Sequence, residues 1–458
     1  MHHIARKNRK QPGRIPAIFV YLLFFLLAGN VSAASYEEVA DSAVLLSGNG
    51  ENPPVSVYRS KSFVPAYKAA NEFPVLQPDP VHEPFSRRFI HRIGTEARPT
   101  YIAPTHVFFR GENYLEKPMR FAFSGHLKYA FQFRPDTYDD RISGSAYQGI
   151  GMSGNTFFNT DELGNPLAVY LLQGARIHQF NPRLSLNYEW NFGLSFGWNP
   201  YADFNDKNRV VGSNLNAYIN ANFYLHWMLS QRFDLTGGIS MTHFSNGSTK
   251  LPNAGINTLG LTLGLVYNFN RDFDRYYVPP PLPGPAFRRH MSYDLILFGA
   301  WRERGVQVED GTVYAAPGSY SVFGFNFASM YNLGYKIRVG ASLDGVYDGS
   351  ANIYSEDHIS GTLPEFITPP LEKQLSLGLS ARADYVMPYF TITLGFGANF
   401  LHGGGDLKMF YQILALKINT GRNSFLHIGY SLKEFKSPNF LMLGVGYRFN
   451  NKPQTYRR

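Results

Sequence analysis

RLSLNYEWNFGLSFGW, residues 183–198, carries Leu184, Leu186, Tyr188, Trp190, Phe192, Leu194, Phe196 and Trp198 on its even positions. Arg183, Ser185, Asn187, Glu189, Asn191, Gly193, Ser195 and Gly197 fill the odd ones. A period of two is the signature of a strand with one apolar and one polar face. Strands of soluble proteins typically run about 5–6 residues, so alternation sustained over the whole of 183–198 asks for another setting. A lipid-embedded barrel supplies it, because its strands turn apolar side chains to the bilayer and polar ones to the lumen, and closure leaves no backbone group unpaired.

Outward from this stretch the pattern recurs. Residues 214–230 set Leu215, Ala217, Ile219, Ala221, Phe223, Leu225, Trp227 and Leu229 against Asn214, Asn216, Asn220, Asn222, His226 and Ser230. About eight such arms precede residue 271, near 89–102, 120–134, 145–153, 165–178, 183–198, 212–230, 232–245 and 257–270. Connections at 179–182 and 230–232 are tight, whereas those at 103–119, 154–164, 199–210 and 246–256 are long. Short turns belong to the periplasmic side of such barrels and long loops to the exterior.

The segment YYVPPPLPGPAFRRH, residues 276–290, then interrupts the alternation. Its proline content suits a linker better than a turn. About eight further arms follow, near 291–303, 318–331, 335–348, 374–387, 389–402, 407–418, 424–434 and 438–450. The two halves end alike, GLVYNF at 264–269 and GVGYRF at 444–449, as a duplicated unit would. The expected fold is therefore all-β, a transmembrane antiparallel β-barrel protein of about 16 strands. Two tandem eight-stranded barrels and one barrel of about 16 strands both fit; the linker and the internal terminal-like strand favour the pair.

Composition agrees with this compartment. Aromatic residues make up 16% of the 458, with 38 Phe and 30 Tyr, and cysteine is absent, which rules out disulfides, thiolate metal sites and a cysteine nucleophile. Residues 1–33 read as a secretory signal: Arg6, Lys7, Arg9, Lys10 and Arg14, then an apolar run from Ala17 to Ala28, then Val31-Ser-Ala33. The run is shorter than the roughly 20 residues of a spanning helix. Removing those charges lowers the formal net charge from +9 to +4, too mild to imply a nucleic-acid partner. Residues 34–88, with scattered prolines and no period, read as an irregular periplasmic extension, and 451–458 as a tail. No metal or other cofactor is expected.

One hairpin carries chemistry. Residues 232–270 alternate on both arms, with Phe233, Leu235, Gly237, Ile239 and Met241 on one apolar row and Leu259, Leu261, Leu263, Leu265, Tyr267 and Phe269 on the other. The first row continues into His243 and Ser245, and the second runs back to Asn257. A base, a hydroxyl and an amide thus end two lipid-facing rows at the rim, where they can meet a lipid. Serine needs a base to become a nucleophile, and the histidine needs a third group to hold its tautomer. A second His-x-Ser, His358-Ile-Ser360 with Glu372 at the same spacing as His243 and Asn257, follows the loop GSANIYSED and reads as a coincidental polar loop.

His243-Phe-Ser245-Asn246, then Lys250, then Pro252-Asn253-x-Gly255-Ile256 resembles the signature of the outer-membrane lipid A 3-O-deacylase (acyloxyacyl hydrolase-like) family. The resemblance covers about residues 89–270 and finds no counterpart for the second half in the compact family members. It implies an eight-stranded barrel with the motif on its last two strands, and an ester hydrolase removing an acyl chain from lipopolysaccharide. It further implies Ser245 as nucleophile, His243 as base, and backbone amides at Asn246 and Ser248 as oxyanion donors. The family's third member is a glutamate where this chain has Asn257. The competing expectation is a non-catalytic outer-membrane barrel with a structural, adhesion or channel role, and a channel requires one large barrel, since small ones are filled by side chains.

Overall fold

The computed structural model describes residues 89–134, 137–271, 287–307, 313–355, 365–408, 410–433 and 437–452. The signal sequence, the 34–88 extension and Pro279–Pro285 lie outside the described residues, as do His358 and Ser360.

Two closed barrels of eight strands each are present. The first comprises β1 (Phe89–Ile102), β2 (Phe121–Phe133), β3 (Tyr147–Thr156), β4 (Gly164–Asn181), β5 (Leu184–Trp198), β6 (Asn216–Met228), β7 (Phe233–Ser245) and β8 (Ile256–Asn268). Each strand pairs antiparallel with the next, and β8 returns to β1, with Leu265 opposite Thr95. The second begins with β9 (His290–Arg302). Its long loops carry two small ribbons, β10 (Gly305–Gln307) with β11 (Val313–Ala315), and β14 (Tyr354–Ser355) with β15 (Phe366–Ile367). The remaining barrel strands are β12 (Tyr320–Asn332), β13 (Ile337–Asp348), β16 (Leu375–Val386), β17 (Phe390–His402), β18 (Phe410–Asn419), β19 (Ser424–Lys433) and β20 (Ser437–Phe449). β20 closes onto β9, with Val445 opposite Leu297. Because β8 pairs with β1 and β9 with β20, a single large barrel is excluded.

Alternation sorts the side chains as expected except at the end of β5, where Trp198, just past Gly197 at φ 88°, turns inward onto Phe157 and Phe244. On β8 the outward Leu261 and Leu263 are 63% and 61% exposed, while the inward Thr258 and Thr262 are buried. The lumens are filled with paired charge. In the first barrel Lys128 Nζ lies 2.6 Å from Glu96 Oε2 and 2.7 Å from Glu189 Oε1, and Tyr147 donates to Glu189 at 2.8 Å. In the second, Lys417 bridges Asp294 at 2.8 Å and Asp384 at 3.2 Å, with Arg448 and Arg338 on the same carboxylates. Buried charges persist only when paired and hydrogen-bonded. The first lumen is also stoppered at its long-loop end by Ile102, Phe108, Phe109, Trp198, Val210, Tyr218, Phe244 and Ile256. Among the described residues these side chains fill the lumen at that end.

One outward face departs from the expected lipid contact. Tyr188 and Trp190 are buried, not lipid-exposed, because the second barrel covers them. With Ala175 they form one apolar cluster with Tyr385, Met387, Phe390 and Leu416. Trp190 meets Phe390 edge-on with centroids 5.3 Å apart, and the Tyr188 and Tyr385 hydroxyls are 3.2 Å apart. Phe131 and Tyr389 touch near the short turns, while Ser248 and Glu303 are hydrogen-bonded among the long loops. The barrels therefore stand side by side, long loops at the same end.

Candidate active site

The site lies where β7 and β8 reach the long-loop end. His243 is the direct cross-strand partner of Asn257. Phe244 turns inward, 3% exposed, against Trp198 and Tyr218, which by strand alternation sends His243 and Ser245 outward. His243 Nδ1 lies 2.7 Å from Asn257 Oδ1, and His243 Nε2 lies 2.9 Å from Ser245 Oγ. An amide oxygen only accepts, so the Asn257 bond assigns the proton to Nδ1 and leaves Nε2 to accept from the Ser245 hydroxyl. The three residues thus form one directed relay.

Glycine permits the close approach. Gly255 sits at φ 69°, and a Cβ there would lie 3.0 Å from Phe244 O and 3.1 Å from His243 Cε1. Its N–H donates to Val210 O at 3.1 Å, which ties the returning loop to the barrel stopper.

After Ser245 the chain makes a turn with Gly247 at φ 66° and Ser248 at φ 65°, closed by Thr249 N–H to Asn246 O at 3.3 Å. Two successive positive φ values define a type I′ turn. The two backbone amides implied as oxyanion donors differ in state. Asn246 N–H donates to Asn253 Oδ1 at 3.2 Å. Among the described residues no acceptor is hydrogen-bonded to Ser248 N–H, and its carbonyl accepts from Glu303 N–H at 3.1 Å.

The second barrel closes over this turn, which alternation alone could not foretell. Ser245 is only 8% exposed. Tyr430, on the outward face of β19, reaches the turn that follows Ser245. A Cβ added to Gly247 would lie 2.5 Å from both Tyr430 Cε1 and Oη, so the ring rests on the Gly247 backbone. Glu303, just past β9, accepts from Leu251 N–H at 2.8 Å through Oε2. Tyr430 escapes a sequence reading because it resembles the other aromatic residues near strand ends. The second His-x-Ser contributes only Glu372 to the described residues, in a short 3₁₀ turn before β16. No group of three or more His, Asp or Glu side chains suited to a metal occurs among the described residues.

A relay of serine, imidazole and amide beside an amide-bearing turn can carry acyl transfer, the serine attacking and the imidazole shuttling its proton. Residues 124–266 match the family described as lipid A 3-O-deacylase (PagL). Residues 291–451 match a second family, acyloxyacyl hydrolase, C-terminal domain. The second barrel, without counterpart in the sequence reading, thus has a matching domain of its own. Among solved structures the chain is similar to Neisserial surface protein A, with 9% identity over 40% of this chain and 96% of that one and a TM-score of 0.25. It is also similar to the toluene transporter TodX of Pseudomonas putida, with 9% identity over 80% of this chain and 90% of that one and a TM-score of 0.17. No curated protein matches the chain. Closed antiparallel barrels with apolar outer faces place it in the outer membrane.

Proposed function

We propose that the chain, whose residues 124–266 match the lipid A 3-O-deacylase family and whose residues 291–451 match the acyloxyacyl hydrolase C-terminal domain, hydrolyses an acyl ester of lipid A. Ser245 is the nucleophile, His243 the general base and acid, and Asn257 the group that orients the imidazole. The carrying observation is the relay itself, Asn257 Oδ1 to His243 Nδ1 at 2.7 Å and His243 Nε2 to Ser245 Oγ at 2.9 Å. It ends an outward row that continues along the membrane face as the exposed Leu259, Leu261 and Leu263. An acyl chain lying against that row brings its ester to the rim.

Ser245 Oγ attacks the ester carbonyl carbon while its proton passes to His243 Nε2. The carbonyl electron pair moves to oxygen, where Ser248 N–H can donate. Asn246 N–H joins it by exchanging Asn253 Oδ1 for the oxyanion. Collapse expels the sugar oxygen, which takes the proton from His243, and water then releases the fatty acid from Ser245 by the same steps in reverse. Asn257 holds tautomer and position but adds no negative charge to steady the imidazolium.

Mass spectrometry of lipid A from cells expressing the protein tests the assignment. The expected result is loss of one acyl chain with the unaltered protein and none with Ser245→Ala. An identical loss with Ser245→Ala would remove Ser245 from the mechanism.

A further inference from the structure

We propose that the second barrel completes the esterase site of the first, with Tyr430 as a catalytic residue whose hydroxyl donates to the oxyanion. This rests on the assignment of Ser245 as nucleophile. Three observations carry it.

First, the Tyr430 hydroxyl reaches the turn that follows the nucleophile: a Cβ built on Gly247, two residues past Ser245, would lie 2.5 Å from Oη. A tyrosine hydroxyl can donate one hydrogen bond. When Ser245 Oγ bonds to the carbonyl carbon, the oxyanion forms two bonds from Oγ, beside that turn.

Second, the turn is one donor short. Asn246 N–H is engaged by Asn253 Oδ1 at 3.2 Å, whereas Tyr430 Oη lies over Gly247, the residue before Ser248. With the Ser248 N–H, the hydroxyl supplies a second donor that is in place before Asn246 N–H leaves Asn253 Oδ1.

Third, the second barrel fixes the turn from both sides. Glu303 N–H donates to Ser248 O at 3.1 Å, and Glu303 Oε2 accepts from Leu251 N–H at 2.8 Å. Glu303 is therefore a positioning residue for the donor turn. Preorganised donors are what makes an oxyanion site effective.

In the step, the Ser245 proton goes to His243 Nε2 and returns from there to the leaving sugar oxygen. Tyr430 keeps its own proton throughout and only donates a hydrogen bond to the oxyanion.

The test is steady-state hydrolysis of lipid A by the full-length protein in mixed micelles, comparing the unaltered chain, Ser245→Ala and Tyr430→Phe. Losing one oxyanion donor lowers kcat about 10²-fold or more, and because that interaction is made in the transition state, KM should stay within about twofold. The phenyl ring keeps its seat on Gly247, so thermal unfolding of Tyr430→Phe should match the unaltered protein. The labelling rate of Ser245 by a fluorophosphonate should fall in parallel, since that probe also develops charge on an oxygen two bonds from Oγ. Unaltered kcat and labelling in Tyr430→Phe would overturn this inference alone and leave Tyr430 as packing. Absence of Ser245-dependent turnover in the unaltered chain would overturn the esterase assignment, and this inference with it.

Discussion

His243 and Asn257 face each other across β7 and β8, joined Nδ1 to Oδ1 at 2.7 Å. A carboxylate at Asn257 would accept the same proton and also balance the charge that the imidazole gains when Ser245 attacks. The amide does only the first. Elsewhere, losing the carboxylate of such a triad costs ~10⁴ in rate, so the proposed mechanism has to draw more of its stabilisation from the oxyanion side.

Substitutions at Asn257 separate orientation from charge. Asn257→Ala removes one hydrogen bond, about 1–1.5 kcal/mol, and should lower kcat about tenfold, less than Ser245→Ala or His243→Ala, which act as a unit. Asn257→Glu should leave kcat equal or raise it, because the new carboxylate meets the same Nδ1. Lipid A turnover measures all four. A kcat unchanged in Asn257→Ala would show that the imidazole is oriented by something else.

Gly255→Ala should reduce turnover at least tenfold, by an argument independent of charge. The residue sits at φ 69°, and a methyl there would press on His243 Cε1 at 3.1 Å. The strain of a left-handed residue is about 1–2 kcal/mol, and the displaced ring loses its line to Ser245. Gly318→Ala is the control, because Gly318 has φ 84° and open space around it. It carries similar strain without touching the site and should keep full turnover. Equal losses in both variants would attribute the effect to stability alone.

The strands, the count of eight and eight, and the outward aim of His243, Ser245 and Asn257 were legible because alternation reports which face a residue occupies. Alternation says nothing of what lies beyond that face. Tyr188 and Trp190 continue the same apolar row as Leu194, yet they meet Phe390 and Tyr385 while Leu194 is exposed. Tyr430 was hidden for the same reason: it is one of 30 tyrosines, and only the docking of one barrel on the other brings it onto Gly247 beside the site. The engagement of Asn246 N–H by Asn253 was equally out of reach, since it depends on the path of a loop with no period.

Glu303 offers a graded test of the turn. Glu303→Gln keeps a side-chain acceptor for Leu251 N–H and should retain most activity. Glu303→Ala leaves that N–H, bonded at 2.8 Å in the intact protein, without its acceptor, and should lower kcat about tenfold, the equivalent of one lost hydrogen bond of about 1–1.5 kcal/mol. Melting temperature should change little, since Glu303 lies outside both barrel walls. A melting shift that accounts for the whole loss of activity would count against a positioning role.

Lys417 asks whether the second barrel must be intact for turnover. Its ammonium lies 2.8 Å from Asp294 and 3.2 Å from Asp384, all three buried. Lys417→Met leaves the two buried carboxylates one cation short, and breaking such a buried pair costs about 3–5 kcal/mol. Lys417→Met combined with Asp384→Asn should recover part of that loss by removing one of the stranded charges. No residue of the first barrel is altered, so a first barrel that worked alone would keep its activity at any urea concentration it survives. If Tyr430 and Glu303 serve the site, the urea midpoint for loss of lipid A hydrolysis should fall in Lys417→Met and rise again in the double variant. An activity midpoint that stays with the unaltered protein, while unfolding of the second barrel shifts, would show that the first barrel needs nothing from its neighbour.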